Sequence, residues 1–365
     1  MKDTYDIVVV PGDGIGPEVA ASAVEVLNAA FGTESPLRFS ESAAGAELFR
    51  ATGESLPSST LTACFGADAI LHGAAGLPGV VHEDGTEAGL DFTLTLRTSL
   101  DLYANVRPIL LQPGIRSPLS HGKPIDYVII RENSEGLYAS RGGGIRLGEQ
   151  LAVDNLVQTR KGVERIVRFA FELARTRQGA PRDGVRRVTC CDKANVLQSY
   201  AYFRSIFDEV AKDYPDIEAE YCLIDAMALH LVLRPDHYDV IVTENMFGDI
   251  ISDLGAATVG GMGMAPSSEV GERAGLFQAS HGSAPDIAGK GVANPYGTIM
   301  AGVGMLEWLG VKHDDERMRN AALAIRDAVA TVYADAGSHT ADIGGTARTA
   351  NVTAAIVAML DPQRA

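Results

Sequence analysis

Short β-branched runs alternate with helical stretches along this chain of 365 residues. The first run, at 7–10, breaks at a Pro-Gly loop that ends in Pro17, and the pattern that follows predicts a helix beginning at Glu18. Further strand-like runs lie at 69–71, 127–130, 188–189, 219–223 and 240–242, and the clearest helical stretches lie at 163–175 and 200–213. Strands that alternate with helices predict a mainly parallel α/β architecture.

The charge balance restricts the partners that such a chain can have. Its length is typical of one large or two medium domains. The 47 acidic residues against 31 basic ones give a formal charge of −16, and this field repels nucleic acid. Because an acidic substrate is repelled as well, any site for one must concentrate arginine or lysine locally.

No stretch of the sequence indicates a membrane or export. None approaches the roughly 18 apolar residues of a membrane span, and the N-terminus lacks the apolar length of a signal peptide. The four cysteines, Cys64, Cys190, Cys191 and Cys222, form no CxxC pair, which favours buried reduced thiols. We therefore expect a soluble cytoplasmic protein.

The N-terminal glycine loop has the appearance of a dinucleotide fingerprint but fails its test. The motif G-x-G-x-x-G requires a glycine where Pro17 stands, and no G-x-x-x-x-G-K-[ST] phosphate loop occurs elsewhere. Taken alone, the loop indicates only a tight turn after a strand.

Three arginines, Arg97, Arg107 and Arg131, lie beside apolar residues and outside solvated charge runs. An arginine at the margin of a core needs a fixed anion, since burying an unpaired charge is costly, and its guanidinium matches a carboxylate bidentately. For each arginine alone, an internal salt bridge is the simpler interpretation. Three of them in one acidic chain favour a carboxylate clamp.

Two aspartates indicate a metal site. Asp249 and Asp253 lie four residues apart after the run at 240–242, so they share one helical face, where two like charges are destabilising unless a cation lies between them. Asp225 can complete a three-carboxylate set, and ligation by oxygen alone favours Mg²⁺ or Mn²⁺ over zinc. The alternative is that Asp249 caps the helix and Asp253 is solvated.

Other features remain ambiguous on the residues alone. Lys193 follows an apolar run and is a candidate general base or a surface lysine, and Tyr138 is a candidate proton donor or a packing residue. The segment 139–153, with glycines at 142–144, is either a linker or an exposed β arm that reaches a partner.

In combination these segments closely resemble the β-decarboxylating dehydrogenases, the family of isopropylmalate, isocitrate, homoisocitrate and tartrate/D-malate dehydrogenases. The resemblance covers nearly the whole chain, in the family's order and spacing. It is carried by GDGIGPE at 12–18, LR at 96–97, NVRP at 105–108, RENSEGLY at 131–138, DKANVL at 192–197, DAM at 225–227, FGDIISD at 247–253 and HGSAPDIAGK at 281–290.

The resemblance implies a role for each of these polar residues. Substrate carboxylates are expected at Arg97, Arg107 and Arg131. The ligands of Mg²⁺ or Mn²⁺ are expected to be Asp225, Asp249 and Asp253, with Asp225 also near the substrate. Lys193 is expected to assist removal of the hydroxyl proton, and Tyr138 to protonate C3 after loss of CO₂.

The resemblance places the cofactor at a loop after residue 280 and away from the N-terminal glycines, so the cofactor site is not of the Rossmann type. Contacts to NAD are expected from Ile15, His281, Gly282, Ser283, Ala284, Asp286, Ile287 and Asn294. Asp286 decides the cofactor, because a carboxylate accepts a hydrogen bond from the ribose 2′-OH of NAD and repels the 2′-phosphate of NADP. NADP-preferring relatives carry Lys-Tyr in place of Asp286-Ile287, so NAD is predicted.

The implied fold is that of isocitrate and isopropylmalate dehydrogenases, with two α/β domains flanking a cleft. The large domain is predicted at 1–102 plus 260–365, and the small domain at 103–259. The resemblance also implies a homodimer with shared active sites. Lys193 and Asp225 of one subunit are expected to enter the active site of the neighbouring subunit. The arm at about 139–153 is expected to interlock the two protomers.

Substrate selectivity is implied just before Arg97. The serine and asparagine typical of isocitrate enzymes are absent at Asp91 and Thr93, and the arginine of homoisocitrate enzymes is absent at Leu94. Thr93 and Leu94 are therefore expected to contact the 3-substituent of 3-isopropylmalate or a similar 3-alkyl or 3-aryl malate. Tartrate or D-malate is the alternative substrate, followed by isocitrate or homoisocitrate, and a non-catalytic regulatory subunit is the alternative of a different class.

Overall fold

The computed structural model describes residues 2–83, 85–141 and 143–360. Its strands, in chain order, are β1 Tyr5–Gly12, β2 Leu37–Glu41, β3 Ala69–Ala74, β4 Ala104–Leu110, β5 Asp126–Glu132, β6 Ile145–Leu147, β7 Leu151–Val153, β8 Arg187–Asp192, β9 Glu218–Leu223, β10 Val240–Thr243, β11 Pro266–Val270 and β12 Gly275–Ala279. Its helices are α1 Gly16–Ala29, α2 Ala46–Thr52, α3 Ser58–Gly66, α4 Asp91–Ser99, α5 Arg160–Thr176, α6 Gln198–Ala211, α7 Ile224–Leu233, α8 Asn245–Thr258, α9 Tyr296–Lys312, α10 Glu316–Ala334 and α11 Thr349–Leu360.

The chain divides into two compact units. The first comprises Met1–Asp101, Gln112–Arg116 and Gly260–Ala365, and the second comprises Leu102–Leu111 and Ser117–Val259. In the first unit the strands are ordered β2-β1-β3-β12-β11, and in the second β4-β5-β10-β8-β9. The pairs β11–β12 and β4–β5 are antiparallel, and the other pairings described within each unit are parallel. The prediction of a mainly parallel α/β protein is confirmed.

The predicted runs form the strands and helices of both units, with small shifts at their ends. The first helix begins at Gly16, two residues before the predicted Glu18, because a proline is tolerated in the first turn and Pro17 occupies that position. Helix α5 buries Val163, Ile166, Val167 and other residues along one face, as its periodicity predicts. Its N-cap, Thr159, accepts a hydrogen bond from the amide of Gly162 at 3.0 Å.

The segment at 139–153 contains an exposed β hairpin, as one of the two alternatives predicted; its contact with a partner stays a prediction. β6 and β7 pair antiparallel, with Ile145 opposite Val153. All six residues of the two strands are exposed. Gly142, the first glycine of the predicted run, lies outside the described residues.

The cysteines and the helices agree with two further expectations. Cys64, Cys190, Cys191 and Cys222 are all buried and free, and burial raises the pKa of the thiols of Cys190 and Cys191 far above its ordinary range. Among the residues that the structure describes, no helix combines the length and the apolar character that crossing a bilayer requires.

Candidate active site

In the second unit, the carboxyl ends of three parallel strands meet at one edge. Thr243 of β10 pairs in register with Arg131 of β5 on one side and with Cys191 of β8 on the other. The residues that follow these strands, among them Glu244 and Lys193, therefore begin at the same edge. Open α/β sheets place their ligand sites at this edge.

Helix α8 starts directly after β10 and carries the two aspartates. Its N-cap is Glu244, whose carboxylate accepts hydrogen bonds from the amides of Met246 at 3.1 Å and Phe247 at 2.8 Å. The alternative prediction that Asp249 caps this helix is therefore wrong. Asp249 and Asp253 project from the next turns, with side chains 36% and 58% exposed.

Two buried arginines face these aspartates. Arg131, at the end of β5, donates from Nη1 to Asp249 Oδ1 and from Nε to Asn245 Oδ1 at 2.9 Å. Arg107, on β4, donates from Nη1 to Ser252 Oγ at 2.6 Å. The same nitrogen lies 3.3 Å from Asp249 Oδ1 and 3.6 Å from Asp253 Oδ1.

This cluster is formally neutral, with two guanidinium groups against two carboxylates. Burial is the main cause that raises the pKa of Asp253, and it is opposed by Arg107 and reinforced by Asp249. Arg107 and Arg131 are only 6% and 2% exposed. Internal salt bridges, predicted as the simpler interpretation for each arginine alone, are thus present, and they converge on the two aspartates.

Tyr138 belongs to the same cluster. Its hydroxyl donates to Asp249 Oδ2 at 2.8 Å, and its ring lies 5.3 Å from the guanidinium carbon of Arg131. Gly136 precedes it with a φ of +77°, and a Cβ at that position would lie 2.7 Å from Glu244 Oε2. A glycine is therefore required for the turn that delivers the tyrosine.

Gly248 allows Arg131 to lie against helix α8. A Cβ at Gly248 would meet Cβ of Arg131 at 2.6 Å and its Cγ at 2.7 Å. No real side chain tolerates such contacts, so this glycine fixes how closely Arg131 approaches the helix that carries Asp249.

Lys193 and Asp225 form a separate pair. The Lys193 ammonium donates to Asp225 Oδ1, and this bond is the main cause that lowers the pKa of Asp225. Among the described residues of the chain, no three acidic, histidine or cysteine side chains converge as a metal site. The structure therefore unites Asp249 and Asp253 with Arg107, Arg131 and Tyr138, and it pairs Lys193 with Asp225, without joining the three aspartates within one chain.

Arg97 lies in the first unit, on α4. It donates from Nε and Nη2 to the two carboxylate oxygens of Glu269 on β11, both at 2.7 Å. Glu269 is completely buried. Glu269 was not predicted as a functional residue, although a charged residue buried in a short strand beside Val270 requires a partner of opposite charge.

The residues before Arg97 differ in what they present. Thr93 is buried, and its hydroxyl donates to the carbonyl of Leu90 at 3.2 Å. Leu94 is half-buried and Leu90 is 38% exposed. Since Leu90, Leu94 and Arg97 are spaced by four and three residues, the two leucines and the guanidinium share one face of α4.

Asp91, at the start of α4, is held inside the first unit. Its Oδ2 accepts from Ser55 Oγ at 2.6 Å and lies 2.8 Å from His82 Nε2. His82 belongs to the loop between β3 and α4, so this carboxylate ties that loop to the start of the helix.

The predicted cofactor loop packs on the N-terminal glycine loop of the same unit. The amide of Ile15 donates to the carbonyl of Ser283 at 2.8 Å, and Ile15 packs with Ala293, Ala284 and Ile287. Gly14 has a φ of +58°, and a Cβ there would lie 2.1 Å from the Ser283 carbonyl oxygen. Gly14 of the first loop thus supports the second loop by close backbone contact.

Two polar side chains of this loop, His281 and Asp286, differ in their surroundings. His281 Nδ1 lies 3.0 Å from the Gly282 carbonyl, while its Nε2 is buried without a hydrogen-bond partner among the described residues. Burial lowers the pKa of His281, so the ring is neutral at pH 7, and the Nδ1 donor leaves Nε2 as an acceptor. Asp286 is exposed.

Asn294, the last predicted residue of the loop, is buried in a network of its own. Its side-chain oxygen accepts from the Tyr333 hydroxyl at 2.7 Å and from the amide of Tyr296 at 3.1 Å, and its nitrogen donates to Asp342 Oδ2 at 3.0 Å. These bonds anchor the end of the loop to the start of α9.

Comparisons with known proteins show which family the chain resembles. A family model described as isocitrate/isopropylmalate dehydrogenase matches residues 6–357. A Methanocaldococcus jannaschii protein named 3-isopropylmalate/3-methylmalate dehydrogenase is 43% identical over 346 residues, which are 94% of this chain and 96% of that protein. An Archaeoglobus fulgidus protein named 3-isopropylmalate dehydrogenase is 41% identical over 357 residues, which are 97% of this chain and 99% of that protein.

A solved structure gives the same result for the fold. The crystal structure of isocitrate dehydrogenase from Methylococcus capsulatus matches with a TM-score of 0.85 and 38% sequence identity. The match covers 98% of this chain and 99% of the other. The likeness therefore extends over almost the full length of both proteins.

Proposed function

Since the chain belongs to the isocitrate/isopropylmalate dehydrogenase family, and is thus a β-decarboxylating dehydrogenase that acts on a CH–OH group, we propose that it catalyses the NAD-dependent oxidative decarboxylation of 3-isopropylmalate or a close 3-alkyl or 3-aryl malate. The observation that carries the substrate assignment is the face of α4. Leu90 and Leu94 are accessible beside Arg97, while the hydroxyl of Thr93 is used inside the helix. An apolar 3-substituent fits two leucines, and a third carboxylate does not.

The relatives named as 3-isopropylmalate dehydrogenases support the same assignment. The solved structure named isocitrate dehydrogenase makes isocitrate the competitor that a test must include. We assign the binding of substrate carboxylates to Arg97, Arg107 and Arg131, since a guanidinium binds a carboxylate through two parallel N–H donors.

The donor set at α8 fits a hard divalent cation. Asp249 and Asp253 offer oxygen atoms one helical turn apart, and Asp225 of a second protomer would complete the set for Mg²⁺ or Mn²⁺. The charge of the site also favours a bound divalent cation. The neutral cluster of two arginines and two aspartates gains two positive charges with the cation, and a dicarboxylate substrate neutralises these.

Each remaining residue has a defined task in the proposed reaction. A divalent cation held by Asp249, Asp253 and Asp225 of a second protomer would supply Lewis-acid polarisation of the 2-oxygen. Lys193 donates to Asp225 as an ammonium and must first release one proton to solvent; its neutral amine would then accept the proton of the 2-hydroxyl, while NAD would take the hydride from C2. Tyr138 donates its phenolic proton to C3 after CO₂ departs, and Arg131 beside its ring orients that phenol.

NAD is the proposed cofactor, bound at the loop 281–294. The exposed carboxylate of Asp286 is the polar group offered to it, and the buried Nε2 of His281, which has no hydrogen-bond partner among the described residues, lies in the same loop. A carboxylate at Asp286 favours the two hydroxyls of a ribose over a ribose phosphate.

A homodimer with shared sites is part of the proposal, and exposed apolar side chains support it. Ile145, Leu147, Leu151 and Val153 of the hairpin β6–β7 are between 37% and 60% exposed. Contiguous exposed apolar surface on this scale marks an interaction site.

The surroundings of Lys193 and Asp225 are also apolar and exposed. Val196 is 65% exposed, and Leu229 and Leu233 on α7 are each 56% exposed. A second copy of the chain that covers this surface would bring the Lys193–Asp225 pair to the partner's α8. The four buried, unpaired cysteines support a reducing, cytoplasmic location.

The test is a comparison of kcat/KM with NAD and Mn²⁺ for 3-isopropylmalate, D-malate, tartrate, isocitrate and homoisocitrate. We expect 3-isopropylmalate or a 3-alkyl analogue to give the highest value. A higher value for isocitrate than for 3-isopropylmalate contradicts the apolar contact at Leu90 and Leu94. Absence of NADH formation with every acid, in folded protein with metal, contradicts the reaction itself.

A further inference from the structure

Glu269 is a buried carboxylate inside the first unit, at the point where three elements meet. Arg97 reaches it from α4 with Nε and Nη2, each 2.7 Å from a carboxylate oxygen. Gln278, on the neighbouring strand β12, donates from Nε2 to Glu269 Oε1 at 2.8 Å. Glu269 is 0% exposed, and the Arg97 side chain is 11% exposed.

The geometry of this contact restricts how Arg97 can move. Both N–H donors of the fork lie on the same edge of the guanidinium, so two parallel bonds fix the plane and the direction of the group. A free arginine side chain has about 2 kcal/mol of rotamer entropy to lose, and a preformed fork removes most of that cost before a ligand binds.

The contact also sets the charge that Arg97 presents. A guanidinium shared with a buried carboxylate has little long-range attraction for anions, so it recognises a carboxylate mainly through the direction of its N–H groups. Gln278 holds the carboxylate in this orientation, because its amide nitrogen donates a hydrogen bond to Oε1 of Glu269. A glutamate at 278 would place a second carboxylate at hydrogen-bond distance and force a proton between the two.

We propose that Glu269 is a positioning residue for the dehydrogenase reaction, which orients Arg97 toward a substrate carboxylate, and that Gln278 holds Glu269 in place. This role rests on the proposed function, in which Arg97 binds the substrate. Through these two residues, strands β11 and β12 would take part in binding the acid. This part is separate from the role of the cofactor loop that follows β12.

The first test is Glu269→Gln, which keeps the shape of the side chain but presents an amide nitrogen to one donor of the fork. We expect KM for the hydroxy acid to rise about 10-fold or more, KM for NAD to stay within about 2-fold and kcat to change less than KM for the acid. Gln278→Ala leaves the fork in place, and for it we expect a smaller rise in KM for the acid, about 2- to 5-fold.

Val270→Ala is the matched control. Val270 is the next residue on the same strand and is 4% exposed, so its side chain points to the opposite face of the sheet from Glu269 and its truncation lowers the stability of the first unit. Its KM for the acid should equal that of the wild type. A rise in KM in this variant like that in Glu269→Gln overturns the proposal, because loosening of the strand would then explain both.

A double-mutant cycle separates a role through Arg97 from any other role. In an Arg97→Gln background, the further change Glu269→Gln should alter kcat/KM by less than about 2-fold, because the group that Glu269 positions is gone. If the fold-changes in kcat/KM of the two single variants multiply in the double variant, the proposal is contradicted.

The outcomes distinguish this proposal from the proposed function. If the wild-type protein prefers another acid of the panel, only the substrate assignment is wrong. The KM values of wild type and Glu269→Gln for that acid then decide the role of Glu269. If Glu269→Gln does not fold, an unchanged KM in both Gln278→Ala and Gln278→Glu overturns the proposal, and a raised KM in both supports it. If the wild-type protein is inactive with every acid, both the proposed reaction and this role of Glu269 are contradicted. If the wild type is active and Glu269→Gln has an unchanged KM, only the role of Glu269 is contradicted.

Discussion

In Gly248→Ala, at the candidate active site, helix propensity and side-chain packing are expected to change the stability of α8 in opposite directions. In a helix, alanine is favoured over glycine by about 1 kcal/mol, so propensity alone predicts a more stable α8. The new Cβ, however, would lie 2.6 Å from Cβ of Arg131, whereas ordinary contact begins at 3.4 Å. Arg131 or the helix must therefore move by about 0.8 Å, and such overpacking typically costs about 1–3 kcal/mol.

We expect the variant to be less stable than the wild type by about 0–2 kcal/mol, the difference between these two effects. Because Arg131 Nη1 donates to Asp249, a shift of this size also displaces the guanidinium from the position in which we propose that it binds a substrate carboxylate, and we expect kcat/KM to fall about 10- to 100-fold. Thermal unfolding and initial rates with 3-isopropylmalate, NAD and Mn²⁺ measure the two effects.

Gly66→Ala is the matched control for this prediction. Gly66 ends helix α3, and an added Cβ there meets nothing within 4 Å. It should leave kcat/KM unchanged. A Gly248→Ala variant with a raised melting temperature and kcat/KM within about 2-fold of the wild type would refute the packing argument.

Three further predictions concern the cofactor, the proton donor and one buried carboxylate. Asp286→Lys should lower the ratio of kcat/KM with NAD to that with NADP by about 10-fold or more, and an unchanged ratio is evidence against the cofactor assignment. Tyr138→Phe should lower kcat by about 100-fold or more in steady-state NADH assays while unfolding at the wild-type temperature; normal kcat excludes it as the proton donor. The Arg317 hydrogen bond, as the main cause, lowers the pKa of Asp315 to about 2. Asp315→Asn should therefore cost about 1–2 kcal/mol above pH 4, a difference that shrinks as the pH falls through about 2; urea unfolding with the same difference at pH 7 and pH 2 contradicts this.

Helices with a single apolar face were predictable from the sequence, and those without one were not. Helix α5 repeats its apolar residues every three to four positions, so its limits were predicted within a few residues. Helix α9 is buried at almost every position, from Tyr296 to Gly310, so its sequence shows no polar face and no clear period. Strand β4 was missed because Arg107 and Pro108 interrupt its apolar residues.

The contacts at the candidate site were hard to predict from the sequence for a different reason. The convergence of Arg107, Arg131, Asp249 and Asp253 follows from strand order and register, which no local pattern reveals; it was predicted through family motifs. Glu244 was not recognised as the N-cap of α8, because glutamate is a less common cap than aspartate. The fork between Arg97 and Glu269 joins residues 172 positions apart, and only the tertiary fold brings them together.

In the proposed homodimer, each active site combines residues of two chains. A direct test uses Lys193→Ala and Asp249→Asn, each expected to be nearly inactive as a homodimer, with different affinity tags on the two variants. The purified heterodimer has one site that lacks both residues and one that is intact, so we predict about half of the wild-type kcat. If each site instead takes all its residues from one chain, both sites of the heterodimer are defective, and a heterodimer as inactive as its parents would contradict the account.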